Sequence, residues 1–262
     1  MPKPLEWKHA GPAREAAKEV PPVSVGNYGY ALVYDEQRKC LVYVRTAEYG
    51  GGLEQWTFDG QQWAPVKAKA GRHGGDECHA YWDSVRKAVV LWSTTHDHER
   101  KRHVPSAVAV DATGVHPLKT SGEPPLIEPG GKETFYLSSN IGCTVTFDPT
   151  RGVAVCLTRH GIWELDAKGA WSKKSDGGGL IRAEWHNDAG GAWDAVGKRC
   201  VFWLQKRGDG YGLAFLGWDG TKVSAIAHDG LPDVRTGLAD TCTMFTAHPT
   251  GVGRPKPTGE AT

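Results

Sequence analysis

A short phrase recurs along this chain and restricts what the chain can fold into. It consists of an apolar and aromatic run ending in Asp, a polar turn, and a second apolar run. Its four copies are ALVYDEQRKCLVY at 31–43, HAYWDSVRKAVVLW at 79–92, TVTFDPTRGVAVCL at 144–157 and GAWDAVGKRCVFWL at 191–204, and a weaker copy is CTMFTAHPTGVG at 242–253. Each copy predicts two strands joined by a tight turn. Successive turns are 48, 65, 46 and 53 residues apart, and strand repeats of about 40–50 residues are typical of β-propellers.

A second phrase follows each of the four clear copies. It is again an apolar run, an Asp that begins a Gly-containing turn, and another run: LEQWTFDGQQWAPV at 53–66, SAVAVDATGVHPL at 106–118, GIWELDAKGAWSK at 161–173 and LAFLGWDGTKVSAI at 213–226. Asp-Gly is a strong hairpin signal, because Gly adopts the positive φ that a two-residue turn requires. One repeat therefore predicts four antiparallel strands, which make one propeller blade, and the fold class is all-β.

The two phrases together resemble the repeats of kelch-like β-propellers, especially the bacterial kind. The resemblance rests on YDEQRKCLV with QWTFDGQQW and on FDPTRGVAV with WELDAKGAW, and it extends over roughly residues 23–250. The chain departs from the family pattern in one respect, since the paired glycines usual at the end of the second strand are absent. The resemblance implies a fold and leaves function open, because propellers host many activities.

Five blades are expected within a single domain of residues 1–262. The predicted repeats are 22–73, 74–125, 126–178, 179–232 and 233–255. An N-terminal strand at 4–11 would complete the last blade, and 254–262 would form a tail. Closing the ring in this way leaves no long unprotected sheet edge.

Composition disfavours several classes of function. A formal net charge of +1 does not indicate the broad basic surface that binding of nucleic acid or an anionic membrane requires. No apolar run approaches the roughly 20 residues of a membrane span, and the N-terminus MPKPLEWKH lacks the apolar centre of a signal peptide. We therefore expect a cytoplasmic protein, unless a leader has been removed, and no cofactor.

The six cysteines support a reducing compartment. Cys78, Cys143 and Cys242 each stand five positions before the turn residue of their repeat. They could converge on a soft metal or pack as small apolar side chains, and packing is the preferred interpretation. The second-strand cysteines, Cys40, Cys156 and Cys200, are expected in the core.

The Asp of the first phrase recurs together with a basic residue three or four positions later. These pairs are Asp35 with Arg38, Asp83 with Arg86, Asp148 with Arg151, and Asp194 with Lys198. An Asp that begins a turn accepts hydrogen bonds from the backbone ahead of it, and the basic residue can pair with it. A structural role is therefore preferred over a catalytic one.

The residues just before the first strands differ between repeats and are mostly polar. They are Asn27, Tyr28, Asp76, Glu77, Asn140, Trp185, His186, Asn187, Asp188 and Asp240. We predict that they surround one mouth of the central channel, where convergent polar groups would bind a small ligand. The alternative is that strand entries are polar simply because loops lie at the surface.

Two longer loops are further candidate sites. His96 and His98 form an H-x-H pair that could chelate a metal, although alternating charges around them favour a solvated hairpin tip, so no metal site is predicted. The insertion 121–139 would expose Leu126, Ile127, Phe135 and Tyr136 as a partner contact loop, or would cover a blade edge.

Three functions are compatible with these features. The preferred interpretation is a non-enzymatic scaffold that binds another protein through its loops and one propeller face. The first alternative is binding of a small polar ligand or glycan at the mouth. The least favoured is a glycoside hydrolase that uses two of the acidic mouth residues, because no local motif of such enzymes is present.

Overall fold

A computed structural model of the chain contains four sheets of four antiparallel strands. It describes residues 30–46, 53–66, 78–97, 102–122, 144–158, 160–181, 185–206 and 212–227. Within these ranges every regular element is a β-strand, as the repeated phrases predict.

Each sheet takes its strands in the order of the chain. The first blade contains β1 (Tyr30–Asp35), β2 (Cys40–Thr46), β3 (Leu53–Phe58) and β4 (Trp63–Val66). The second contains β5 (Cys78–Asp83), β6 (Ala88–Asp97), β7 (Arg102–Asp111) and β8 (Gly114–Pro117). The third contains β9 (Thr144–Asp148), β10 (Val153–Thr158), β11 (Gly161–Leu165) and β12 (Trp171–Ser175). The fourth contains β13 (Trp185–Asp194), β14 (Arg199–Lys206), β15 (Gly212–Trp218) and β16 (Val223–Ala225).

The blades stack radially, with the first strand of each blade innermost. Strand β1 contacts β5, β5 contacts β9, and β9 contacts β13. A separate apolar cluster fills each of the three spaces between successive blades. Sheets arranged in this way define a β-propeller.

Side chains that alternate along a strand allow one blade to contribute to the apolar clusters on both of its sides. Successive side chains of a strand point to opposite faces, so Val90 and Trp92 pack toward blade three while Val89 and Leu91 pack toward blade one. Aromatic rings fill the wide spaces. Tyr81 stacks on Phe147 with ring centroids 5.8 Å apart. The predicted core cysteines, Cys40, Cys156 and Cys200, are buried and unbridged.

The turn after each innermost strand follows one design. The Oδ1 atom of Asp35 accepts hydrogen bonds from the amides of Gln37 and Arg38, both at 2.8 Å. The last turn residue then has a left-handed backbone, with φ 55° at Lys39 and 54° at Lys87. The Asp side chain thus supplies the acceptor that this tight turn needs.

One buried polar side chain lies in the space between blades one and two. Gln55 is 4% exposed and is directly opposite Val44 in the β2–β3 register. Neither its Oε1 nor its Nε2 has a hydrogen-bond partner among the residues that the structure describes. A buried amide without partners costs about 1–3 kcal/mol, so we expect Gln55 to weaken this blade junction.

We expect Gln55→Leu to raise the free energy of unfolding by about 1 kcal/mol, because it removes two unsatisfied polar atoms from an apolar site. Urea unfolding followed by circular dichroism measures the change. Gln61→Leu in the exposed β3–β4 turn is the control and should leave stability within about 0.5 kcal/mol of the wild type. A loss of stability in Gln55→Leu would mean that this amide has a hydrogen-bond partner.

The described residues make four blades, where the sequence predicts five. Both parts of the predicted fifth blade, residues 233–255 and the strand at 4–11, lie outside the described residues. The predicted repeat boundaries therefore stay predictions.

Candidate functional site

The two ends of the propeller are built differently. At one end, every innermost strand is joined to the next strand by a four-residue turn, at 36–39, 84–87, 149–152 and 195–198. The turns between the third and fourth strands lie at this same end and are also short, at 59–62, 112–113, 166–170 and 219–222. The connections at the other end vary much more in length. Those within blades are 47–52, 98–101, 159–160 and 207–211, and those between blades are 67–77, 118–143 and 176–184. A rigid scaffold with variable loops at one end places its binding function there.

The constant end is occupied by structural ion pairs. Asp83 is fully buried and accepts a hydrogen bond from Arg86 Nη1 at 2.7 Å. Arg86 Nη2 continues to the carbonyl oxygens of Asp166 and Ala167 in blade three, at 2.9 and 3.2 Å. In blade two, Asp83 and Arg86 therefore hold the turn and link it to blade three, which is a structural role.

Blade three connects to blade four through a different set of contacts. Arg151 pairs with both Asp148 and Glu164. Glu164 also accepts a hydrogen bond from Trp218 Nε1 of blade four at 2.7 Å. The sequence did not single out Glu164 or Trp218, because a Glu inside a strand is normally solvent-exposed.

The fourth blade breaks the pattern and corrects one prediction. Gly197 occupies the position that Arg holds in the first three blades, and Lys198 does not pair with Asp194. Instead, Arg199 Nε lies 3.3 Å from Asp194 Oδ2. Lys198 has φ 52° and is the left-handed residue of the turn, as Lys39 and Lys87 are in theirs.

The predicted mouth residues Trp185, His186, Asn187 and Asp188 form the beginning of β13 at the variable end. The pairing of β13 with β14 is irregular between His186 and Gly190, which pair with Gln205 and Trp203 respectively. Such irregularities bend the strand and change the direction in which its side chains point, and they are frequent beside binding sites. The structure thus brings these four residues to the innermost strand of blade four.

An aromatic ring lies against β13 immediately after this irregularity. A Cβ atom on Gly190 would be 1.9 Å from the indole ring of Trp203, so only glycine allows the ring this position. Trp203 is half-buried. The sequence places Trp203 on a strand but gives no sign of this contact, because it depends on the shifted register.

A polar pair lies at the same level on the neighbouring innermost strands. Gly190, His79 and Thr144 each stand four residues before the Asp that ends their strand. His79 Nδ1 and Thr144 Oγ1 are 3.5 Å apart, across the junction of blades two and three. The sequence could have identified this pair, because His79 and Thr144 are polar at a position where blade one has Ala31. Our prediction considered only the residues that precede the strands.

The other predicted site residues cannot be placed in the same way. Outside the described residues lie Asn27, Tyr28, Asp76, Glu77, Asn140 and Asp240 of the mouth, Leu126, Ile127, Phe135 and Tyr136 of the contact loop, and His98, Cys143 and Cys242. In the backbone register, His96 of β6 is opposite His103 of β7. In the part of the chain that the structure describes, no three His, Cys, Asp or Glu side chains are grouped so that they could hold a metal ion.

Burial controls the protonation of two core groups. It raises the pKa of the Cys200 thiol far above its ordinary value, and it does the same for the Tyr81 hydroxyl. A thiol that stays protonated is a poor nucleophile and a poor metal ligand, so Cys200 acts as an apolar core residue. No helix formed by the described residues has the length and hydropathy needed to cross a membrane.

Comparison with known proteins gives distant similarities to solved structures. No protein-family model matches the sequence, and no curated protein does. A solved lectin, SapL1 in complex with alpha methyl fucoside, is similar at 14% identity and a TM-score of 0.49, over 76% of this chain and 62% of the lectin. A thermostable family-43 glycoside hydrolase is similar at 12% identity and a TM-score of 0.44, over 79% of this chain and 73% of that one. An endo-1,4-beta-xylanase from Bacteroides thetaiotaomicron is similar at 11% identity and a TM-score of 0.40, over 80% and 76%. The chain thus spans less than two thirds of the lectin's length, and the assignment to the β-propellers rests on the four blades themselves.

Proposed function

We propose that the protein is a binding propeller that takes a small polar ligand of the glycan class beside the innermost strand of blade four, on the side away from blade three. The observation that carries this proposal is the indole of Trp203 lying across Gly190, next to the irregular start of β13. A half-buried aromatic ring held against a glycine is a preformed surface, and ligand sites are usually preformed.

The residue types around this ring suit a sugar. A pyranose has apolar C–H faces, which pack on aromatic rings, and hydroxyl groups, which need donors and acceptors. Trp203 would supply the ring, while His186, Asn187 and Asp188 belong to the adjoining segment of β13.

This proposal replaces our preference for a protein-binding scaffold with the glycan alternative. The scaffold interpretation depends on the contact loop, which lies outside the described residues. A glycoside hydrolase would need two carboxyl groups about 5–9 Å apart, and the acidic mouth residues Asp76, Glu77 and Asp240 also lie outside them. Neither reading has a supporting contact comparable to that of Trp203 with Gly190.

A glycan array, followed by calorimetric titration of the best monosaccharide or disaccharide, tests the proposal. We expect Trp203→Ala to weaken binding at least about tenfold, or about 1.4 kcal/mol. Trp63→Ala, which removes another half-buried tryptophan from the outer strand of blade one, should bind as the wild type does. Thermal melts of both variants show whether the fold is retained.

Two results would contradict the proposal. One is a folded wild-type protein that binds no member of a broad glycan panel. The other is glycan binding that Trp203→Ala and Trp63→Ala weaken equally.

We infer that the repeats are kelch-like, and that residues 233–255 with the strand at 4–11 form a fifth blade beside blade four, so that the Trp203 site would lie at the junction of these two blades. We also infer a cytoplasmic, reducing location, because the described core carries three buried thiols without a bridge.

A further inference from the structure

The turns that follow the innermost strands carry lysine at a position where the backbone favours glycine. The last residue of each four-residue turn has a left-handed backbone. These residues are Lys39, Lys87, Gly152 and Lys198, with φ of 55°, 54°, 67° and 52°. A residue with a Cβ atom adopts this conformation at a cost in free energy, whereas Gly adopts it readily. Three of the turns thus keep Lys in spite of backbone strain, and such strain is typical of functional sites.

The turn that has glycine shows a local reason for the difference. A Cβ atom on Gly152 would be 3.0 Å from Val85 Cγ2 in the turn of blade two. The turns of blades two and three are therefore in contact, and a larger residue at 152 would crowd that contact. We name the four turns, at 36–39, 84–87, 149–152 and 195–198, the inner turn ring. They lie closest to the axis at the constant end of the propeller, because each follows the innermost strand of its blade.

The inner turn ring is basic. Lys39, Lys87 and Lys198 are exposed, and they occupy equivalent positions with the same backbone conformation. The Asp residues that end the innermost strands do not offset this charge, because each is paired with an arginine. Glu36 is the one acidic residue within the turns themselves. Three exposed lysines against one glutamate leave the ring with a net positive charge.

Exposed apolar side chains lie beside these lysines. Val85 and Val196 each stand two residues after the Asp of their blade, and they are 49% and 72% exposed. Among the residues that the structure describes, no other Val, Leu or Ile is as exposed. Exposed apolar side chains mark contact surfaces, and neighbouring charges select a partner of opposite sign. The inner turn ring thus has the composition of a contact surface for an acidic partner.

The turns farther from the axis at the same end are acidic. They carry the carboxylates of Asp59, Asp111, Asp166 and Asp219. Only two lysines, Lys168 and Lys222, accompany these four carboxylates. Hydrogen bonds from the Thr221 hydroxyl and from turn amides lower the pKa of Asp219 to about 2, so this group is ionised near neutrality. A flat anionic membrane would contact both sets of turns and be repelled by the outer set, whereas a narrow acidic segment can contact the inner turn ring alone.

We propose that the inner turn ring binds an acidic peptide segment of a partner protein. Carboxylates of the segment pair with Lys39, Lys87 and Lys198, and its apolar side chains contact Val85 and Val196. The surface shares no residue with the Trp203 site, so this inference goes beyond the proposed glycan binding and does not depend on it. It also uses no residue of the predicted contact loop.

Fluorescence anisotropy of the full-length protein with a labelled acidic peptide tests this binding. The probe is a Glu-Glu-Leu repeat of about nine residues, which spans about 30 Å when extended. We expect saturable binding at about 0.1 M ionic strength that weakens at about 1 M, because salt screens exposed charges. A Lys-Lys-Leu repeat of the same length should not bind.

Two double variants with the same net charge locate the surface. Lys87→Gln with Lys198→Gln should weaken peptide binding at least about fivefold, because two exposed charge contacts are lost. Lys173→Gln with Lys174→Gln is the matched control, since it removes two exposed lysines from β12, the outer strand of blade three. It should bind within about twofold of the wild type. Trp203→Ala should bind the peptide as the wild type does, which separates this proposal from the glycan site.

Replacing the three lysines with glycine distinguishes a role in binding from a role in the turn. The triple variant Lys39→Gly, Lys87→Gly, Lys198→Gly should melt at the same temperature as the wild type or higher, since Gly relieves the left-handed backbone, and should lose the peptide. A lower melting temperature, or unchanged peptide binding, would overturn the proposal. Equal losses in the two double variants, or no binding of the probe by the wild type, would do the same. Tighter binding to vesicles of anionic lipid than to the peptide, lost in Lys87→Gln with Lys198→Gln, would make the surface a membrane site instead.

Discussion

Replacing Asp148 with Ala is expected to lower the free energy of unfolding by about 2–3 kcal/mol, because it removes a buried carboxylate that accepts several hydrogen bonds. The Asp148 side chain is 2% exposed. It accepts hydrogen bonds from Thr150 Oγ1 at 2.6 Å, from the amides of Thr150 and Arg151, and from Arg151 Nε. Without the carboxylate, these donors lose their acceptor, while the partly exposed guanidinium of Arg151 can still be hydrated.

The repeat supplies a matched control for this change. Asp194 ends the innermost strand of blade four as Asp148 ends that of blade three, but it is more exposed and its ion pair with Arg199 is longer. Asp194→Ala should therefore cost about 1 kcal/mol. Urea unfolding of both variants gives the two values. Equal losses would show that the Asp only closes the turn and that its burial between blades adds nothing.

The effect of Asp148 should also depend on pH. Burial opposes ionisation of this carboxyl, but the hydrogen bonds from Thr150 and Arg151 outweigh burial and hold its pKa below the ordinary value. A group whose pKa is lowered by folding stabilises the folded state above its unfolded pKa of about 3.9, and this contribution is lost as pH falls through the folded pKa. The stability difference between the wild type and Asp148→Ala should thus be constant near neutrality and shrink below about pH 4.

The sequence predicts the local structure well because strands and turns depend on neighbouring residues. Three local features carry the prediction, and each acts within a few positions of the chain: side chains alternate between two faces, Asp ends the strand, and Gly stands in the turn. The same physics explains the error at Lys198. A basic residue near Asp194 was expected to pair with it, but the fourth turn position requires a left-handed backbone, and Arg199 pairs with Asp194 instead.

Contacts between blades could not be predicted in the same way. They join residues far apart in the chain, such as Glu164 and Trp218, and they depend on which face each strand turns to its neighbour. The position of Trp203 requires two further facts, the irregular register of β13 and the lack of a side chain at Gly190. The candidate site is formed by such contacts between distant residues. From the sequence we could therefore predict only the site residues that precede the innermost strands.

Glu164→Ala is the second change for which we expect a large loss, again about 2–3 kcal/mol. Glu164 is buried and connects Arg151 of its own blade to the indole N–H of Trp218 in blade four. Truncation leaves that N–H unsatisfied in the apolar cluster between blades three and four and leaves Arg151 with Asp148 alone. Glu36→Ala, in an exposed turn of blade one, is the control and should stay within about 0.5 kcal/mol of the wild type.

Two further variants separate the roles of Glu164. Glu164→Gln keeps an oxygen that can accept the Trp218 hydrogen bond but loses the charge opposite Arg151, so it should cost about half as much as Glu164→Ala. A double-mutant cycle with Trp218→Phe then isolates the contact between blades. Because Phe has no N–H to leave unsatisfied, Glu164→Ala should cost about 1–2 kcal/mol less in the Trp218→Phe background. If the two losses simply add, the hydrogen bond does not couple the blades, and the stability of this junction comes from the packing of Trp218, Phe202 and Leu157 alone.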